Sequence, residues 1–464
     1  MSVDMTEVSR PITKTRQLGI FAASLRYAAL PPEVIHYAKR AFVDWSAAAI
    51  AGAGEPGARK LQKVISTLGP GGPANIIGTS LTANAPYAAL CNAYASHLLD
   101  YDDVFNPIET TIHLSSCVWP AVVAIAQLRG LSGQDMIAAY VAGFETGARV
   151  AQAAGPSHYQ SAWHVTGTMG HVAAAAAAAN ALGLSSDAAT HALGCCATQA
   201  AGVREIYGSD SKALHPAKAA MDGVMSALLA EEGFTSTDTA IEGERGLLQA
   251  VSKDPDNEML LAGLNSQWRL PKNGHKLYPT ASLTHAPIEA GIAASKDLAV
   301  KGDITGIELH MHPFSSAVTA LVHPATGPEA RFSTPHCVAV ALAHRGLGLG
   351  DFDDATLRDP FITHLRSLVQ IVSETTMDKR GCKLVIHWAD GTNSGYEVLR
   401  NRGTPDAPLL DHDLTDKLAT AAGSLMGPAS AAEWVEQCWS LEEIEDINQI
   451  MQKNGRHVEL MFAK

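Results

Sequence analysis

Three carboxylates fall within four residues in Leu99-Asp100-Tyr101-Asp102-Asp103, and His113 follows ten residues later. Carboxylates this close repel one another unless a cation lies among them, whether a divalent metal, a lysine or a protonated histidine. An acidic run of this kind otherwise reads as a solvated turn or a helix cap. Here the flanks Leu98, Leu99, Val104 and Phe105 are apolar, which points inward. A second cluster, Trp163-His164-Val165-Thr166-Gly167-Thr168 with His171, opens an alanine-rich stretch whose first amides suit a carboxylate ligand. A capping threonine and a core histidine would look the same. A third, Tyr207 to Pro216, sets Lys212 three residues before His215 at the head of a small-residue helix. A lysine in apolar surroundings there would lose part of its basicity and become a proton acceptor. Two more, Lys272 to Pro279 with Thr284-His285 and Arg331 to His336, bring further cations and imidazoles.

Several chemistries are excluded by what is missing. The sequence has no GxxxxGKS/T loop, no HExxH, no GxSxG and no GxGxxG after a strand. His310 and His312 would share one face of a strand, but no third metal ligand accompanies them. Without cofactor motifs, acid–base chemistry by His, Lys and Asp is the economical remainder. The balance of 34 Lys+Arg against 47 Asp+Glu, a net charge of -13, disfavours nucleic acid as a partner. Seven scattered cysteines without a CxxC pair read as reduced thiols. The polar stretch Met1 to Lys14 carries no signal-peptide core, and no apolar run is long enough to span a membrane. The expectation is a cytoplasmic protein away from membranes.

The elements that must position these residues are mainly helical. With 47% hydrophobic and 17% charged residues the chain is core-rich, and its alanine runs predict closely packed helices. Pro31-Pro32-Glu33 starts one helix, with Val34, Tyr37, Ala38, Ala41, Phe42 and Trp45 on its buried face. Ser132 with Asp135 predicts a capped helix over Met136 to Val150, and Ser186 another over Ala188 to Ala200. After about residue 266, Ile307, Leu309 and Met311 alternate with Glu308 and His310 as a strand does. Lys383 to Trp388 and Tyr396 to Leu399 flank an Asp390-Gly391 turn. Leu414 to Leu425 and Leu441 to Gln452 are helical again. The expected fold is mainly α: a large helical bundle over 1–265 completed by 405–464, plus a smaller α+β domain over 266–404.

Taken in order, the clusters resemble the MmgE/PrpD family, which includes 2-methylcitrate dehydratase, cis-aconitate decarboxylase and iminodisuccinate epimerase. The matching stretches are Leu30 to Glu33, Leu99 to Asp103 with His113, Trp163-His164 with Gly167-Thr168, Lys212 with Leu214-His215-Pro216, Lys276 with Tyr278-Pro279 and Thr284-His285, and Glu329 to Ser333. The resemblance implies a homodimer and a cofactor-free site between two domains, lined by Asp100, His113, His164, Lys212 and Lys276. It implies removal of a proton beside a carboxylate of a di- or tricarboxylic acid. Three departures stand out: Val104 where the family often has threonine, Ala281 where some decarboxylases have a functional histidine, and His336 where tyrosine often ends the Phe-Ser-x-Pro-Tyr stretch. The hydroxyls lost and the histidine gained favour an epimerase of a dicarboxylate such as iminodisuccinate, with a hydro-lyase of the citrate type as the alternative. The acid–base candidates are His113, His164, Lys212 and His336, with Asp100 tuning a neighbour. Asp103, Thr168, His215, Lys276, His285 and Arg331 are expected to bind substrate, and no metal is expected.

Overall fold

The computed structural model describes residues 12–451 other than 70, 108 and 109. Its larger part is built on the helices Pro32–Ala53, Ala85–Leu98, Leu114–Arg129, Gly133–Gln160, Val165–Ala181 and Ser211–Glu231. Every residue of Val165–Ala181 is buried, as expected of a helix that is apolar on all sides. Alanine makes this possible, because it favours the helix and lets neighbouring backbones come close. Gly223 takes the logic one step further: a Cβ there would lie 2.5 Å from that of Ala174.

Pro32 begins its helix at the first turn, as the sequence predicts. Ser132 accepts from the Asp135 amide at 3.2 Å and donates to its carboxylate at 2.6 Å. The helix it caps runs on to Gln160, through a break at Gly155 (φ 64°), well past the expected end at Val150. In the helix Ser186–Ala197 the capping serine is Ser185 rather than Ser186.

The smaller part carries a four-stranded sheet ordered Val369–Ser373, Ile304–Met311, Cys382–Trp388, Asn393–Val398. The first two strands are parallel, with Ile307 opposite Val369, and the rest are antiparallel. Ile307, Leu309, Leu384 and Ile386 face helices His285–Lys301 and Thr334–His344 in a core of their own. The parallel strand was not foreseen, being five residues long and only partly buried. His310 and His312 do not share a strand face: the strand stops at Met311, and His312 caps the next helix by accepting from the Phe314 amide.

The chain then returns. Helices Asp411–Met426 and Pro428–Trp439 place Leu414, Leu418 and Trp434 in the same core as Phe42, Trp45 and Trp119. Instead of a helix over Leu441 to Gln452 there is a short turn of helix, Leu441–Glu443, and a last helical stretch from 448; residue 452 lies outside the described residues. All seven cysteines are free. No helix among the described residues is long and apolar enough to cross a membrane.

Candidate active site

Asp100 follows the Ala85–Leu98 helix in a left-handed conformation, φ 51°, which a residue with a side chain keeps only where its surroundings hold it. The Lys276 ammonium does much of that holding, donating to the Asp100 carbonyl at 2.9 Å and to its Oδ1 at 2.7 Å. Lys212, in the first turn of Ser211–Glu231, reaches the same Oδ1 at 3.0 Å. Two buried ammonium groups therefore share one carboxylate oxygen, which leaves a net positive charge at this point.

Asp102 organises the imidazoles. Its Oδ2 lies 2.8 Å from His97 Nδ1, accepts from Ser116 at 2.7 Å and lies 3.3 Å from His113 Nδ1. His113 Nδ1 is also 2.8 Å from the Asp103 carbonyl, which can only accept. The proton therefore sits on Nδ1, and Nε2 is the basic nitrogen. The His97 ring stacks 5.8 Å from that of His164, whose Nδ1 lies 2.8 Å from His215 Nδ1. Gly167 permits this last pairing, since a Cβ there would come within 3.0 Å of the His215 ring.

Two small cavities border the residues that meet here. One of about 30 Å³ is bordered by His97, Asp100, Lys212, Arg331 and Phe332; the other, about 10 Å³, by Val104, Lys276, His285, Arg380 and Asn401. Arg331 comes from the smaller part of the fold, donating to the Pro279 carbonyl at 2.7 Å with its guanidinium 4.2 Å from the Phe352 ring centre. A paired backbone bridge between Val104 and Gly274 ties the acidic segment to the one that carries Lys276.

Burial alone would raise the Asp100 carboxyl, but Lys212 and Lys276 outweigh it and hold it well below the usual range. Burial, reinforced by the Lys212 charge, lowers His215 to about 4, and His164 is likewise pushed well down by burial and then by the neighbouring His97 and Lys212. Both rings are thus neutral near pH 7, and the single hydrogen between their Nδ1 atoms leaves one Nε2 bare and the other protonated. Asp103 goes the other way: burial, then the Asp44 charge, raises it to about 8, so it is a neutral acid that accepts from Asn273 at 2.6 Å and pairs with Ser115. His97, Asp100, Asp102 and His113 each bring a ligand atom within 4.8 Å of the others, a set that could hold a cation. The Asp100 oxygen already receives two ammonium groups, however, so the compensating charge comes from the chain itself.

Residues 16–260 match the MmgE/PrpD N-terminal domain and residues 278–441 the MmgE/PrpD C-terminal domain. The chain belongs to the MmgE/PrpD family. It is 27% identical over 470 residues to a cis-aconitate decarboxylase of Aspergillus terreus, with 94% of this chain and 95% of that protein covered. A cis-aconitate decarboxylase-like protein, oryM, of Aspergillus oryzae is 24% identical over 466 residues, covering 94% and 96%. The human cis-aconitate decarboxylase is 23% identical over 384 residues, covering 78% and 77%.

In this MmgE/PrpD chain the fold brings Asp100, His113, His164, His215, Lys212, Lys276 and Arg331 together, with His285 bordering the second cavity. Lys212 is not in the apolar isolation expected of it, because it is ion-paired with Asp100. His336 is not at this site: it lies in the Thr334–His344 helix, against the Asp351 carbonyl at 3.1 Å and the Phe352 ring. Thr168 is likewise turned away, engaged with His158 Nε2 at 2.7 Å and bonded within its own helix. Asp103 is fully buried, with Asn273 and Ser115 as its side-chain partners. The sequence reading passed over His97, whose place in the last turn before the acidic run was the available signal. It also passed over Lys417 and Asp44, which no nearby motif marks.

Proposed function

We propose that this MmgE/PrpD protein is a cofactor-independent lyase for a small tri- or dicarboxylate, working by proton transfer at the carbon beside a carboxylate. The observation that carries the proposal is the shared Asp100 oxygen, which fixes Lys212 and Lys276 as a pair of cations beside the four imidazoles His97, His113, His164 and His215. Lys212, Lys276 and Arg331 would hold the substrate carboxylates and stabilise the enolate-like charge that develops when the proton leaves. His113 Nε2 is the base, its orientation set by Asp102 and the Asp103 carbonyl. The His164–His215 pair offers one protonated and one bare nitrogen, which suits delivery of a proton to the departing or newly formed group. The relatives named as cis-aconitate decarboxylases support elimination over epimerisation. Ala281 has no side-chain proton to give, and its amide is bonded to the Arg331 carbonyl at 3.1 Å. Loss of water therefore stands beside loss of CO₂ as the chemistry to test.

The second reading is epimerisation of a dicarboxylate such as iminodisuccinate. It is favoured by two separate proton-handling units, His113 and the His164–His215 pair, on one cluster. Proton NMR in D₂O with cis-aconitate, citrate, 2-methylcitrate, tartrate and iminodisuccinate distinguishes the two. Loss or gain of an olefinic signal supports the lyase. Inversion with deuterium at the α-carbon and no elimination overturns it in favour of the epimerase, and inertness toward all five overturns both. The proposed unit is a cytoplasmic homodimer whose helical domain, 1–265 with 405–464, closes the site against the α+β domain, 266–404. Sedimentation equilibrium at monomer mass would remove the dimer from this proposal.

A further inference from the structure

A further buried cation lies outside this chemistry. Lys417 lies in the returning helix Asp411–Met426, and its side chain is 1% exposed. Its ammonium has three N–H donors and uses them on three acceptors: Asp44 Oδ1 at 2.7 Å, the Tyr101 carbonyl at 2.6 Å and the Lys276 carbonyl at 3.0 Å. It also sits 3.8 Å from the Tyr101 ring centre. The two carbonyls belong to the segments whose side chains meet at the site. Tyr101 directly follows Asp100, and Lys276 is the residue that grips Asp100 at both its carbonyl and its carboxylate.

We infer that Lys417 is a positioning residue that clamps the Asp100 and Lys276 segments from behind, so that the left-handed backbone at Asp100 and the Lys276–Asp100 contact are held in one geometry. This inference rests on the lyase reading of the site. A cation suits this place because two carbonyl oxygens and a carboxylate converge in a fully buried space, where unpaired acceptors are costly. Lysine suits the place because its three donors point tetrahedrally, whereas the planar fork of arginine does not match three acceptors set around one point. Asp44 supplies the counter-charge from the Pro32–Ala53 helix, so the clamp also locks the first long helix to the last part of the chain.

The test compares three variants of the full chain: Lys417→Met with Asp44→Asn, Lys417→Arg, and Lys276→Met. The paired change removes both charges and avoids leaving Asp44 buried and alone. Its expected signature is a kcat on cis-aconitate lowered about tenfold or more with KM changed far less, since misplacement by about 1 Å is enough for that. Hydrogen exchange by mass spectrometry, which needs no substrate, should quicken over residues 97–105 and 272–278 while the other helices keep their protection. Lys417→Arg keeps the charge, so it should fold and show the same split even if the paired variant does not. Wild-type kcat or unchanged exchange over those two segments in a folded Lys417 variant overturns the clamp. If Lys276→Met turns over like wild type, it is the reading of the site that fails. A dead Lys276→Met beside an unaffected Lys417 variant removes only the positioning role.

Discussion

At the scale of single residues, the site depends on who shares what. Lys212 and Lys276 have a common partner, so removing either leaves Asp100 still paired but takes away one of the cations proposed to hold substrate. Lys212→Met should lower kcat/KM by about 10²–10³-fold with the thermal midpoint nearly kept, read by steady-state kinetics beside calorimetry. His113→Gln and His336→Gln form a sharper pair. The first removes the basic nitrogen and should cost about two orders of magnitude in kcat. The second alters a side chain packed on Phe352, away from the cluster, and should leave turnover near wild type. A loss on His336→Gln comparable to that on His113→Gln would mean that the substrate reaches farther into the smaller part than these cavities suggest. Because the chain's own ammonium groups neutralise the acidic segment, dialysis against EDTA should leave the activity unchanged.

At the scale of elements, what matters is how backbone segments are pinned. Glu145, in the middle of Gly133–Gln160, accepts from the amides of Arg269 and Leu270 at 2.7 and 2.9 Å and pairs with Arg149. That anchor sets the start of the segment leading to Lys276. Glu145→Gln leaves Arg149 buried without its charge partner, and should lower stability by about 3–5 kcal/mol in a urea titration. Gly223→Val would drive two helices apart and should cost about 1–3 kcal/mol. Most elements near the site could be read from the chain, because proline starts, serine caps and alanine runs act locally. Ser132 and Pro32 did what their types dictate. The misses have a shared cause. His336 and Thr168 sit at helix starts whose rotation is fixed by tertiary packing, so a motif could place them near the site without telling which way they face. Lys417 and Asp44 are 373 positions apart, and only the closed fold pairs them. Val369–Ser373 is a strand chiefly because Ile304–Met311 pairs with it.

At the scale of the whole molecule, buried titrating groups set the pH range of stability. Burial lowers His285 to about 3, aided by the Lys276 charge, and His215 to about 4. Their unfolded values are near 6.5, so below that pH the unfolded chain binds more protons than the folded one. Stability should therefore fall as pH drops from about 6.5 toward 4, and further toward 3. Asp103 works in the opposite sense. Its folded value is raised to about 8 from 3.8, so its contribution is complete below 3.8 and is lost as pH rises toward 8. The thermal midpoint should peak at mildly acidic to neutral pH in scanning fluorimetry. Asp103→Asn should flatten the descent on the alkaline side, and an unchanged slope in that variant would remove Asp103 as its cause.

The return of the last helices to the first carries a consequence in time as well as space. During synthesis the N-terminal helices emerge early and can begin to pack, since chains fold from that end as they are made. Asp44, Asp100, Lys212 and Lys276 are all outside the ribosome long before Lys417 is. Until that residue arrives, Asp44 has no partner and the carbonyls of Tyr101 and Lys276 remain untied. The nascent chain thus passes through a stage that holds most of its helices but not its finished site, and competence is acquired in a late step when residues 411–426 dock.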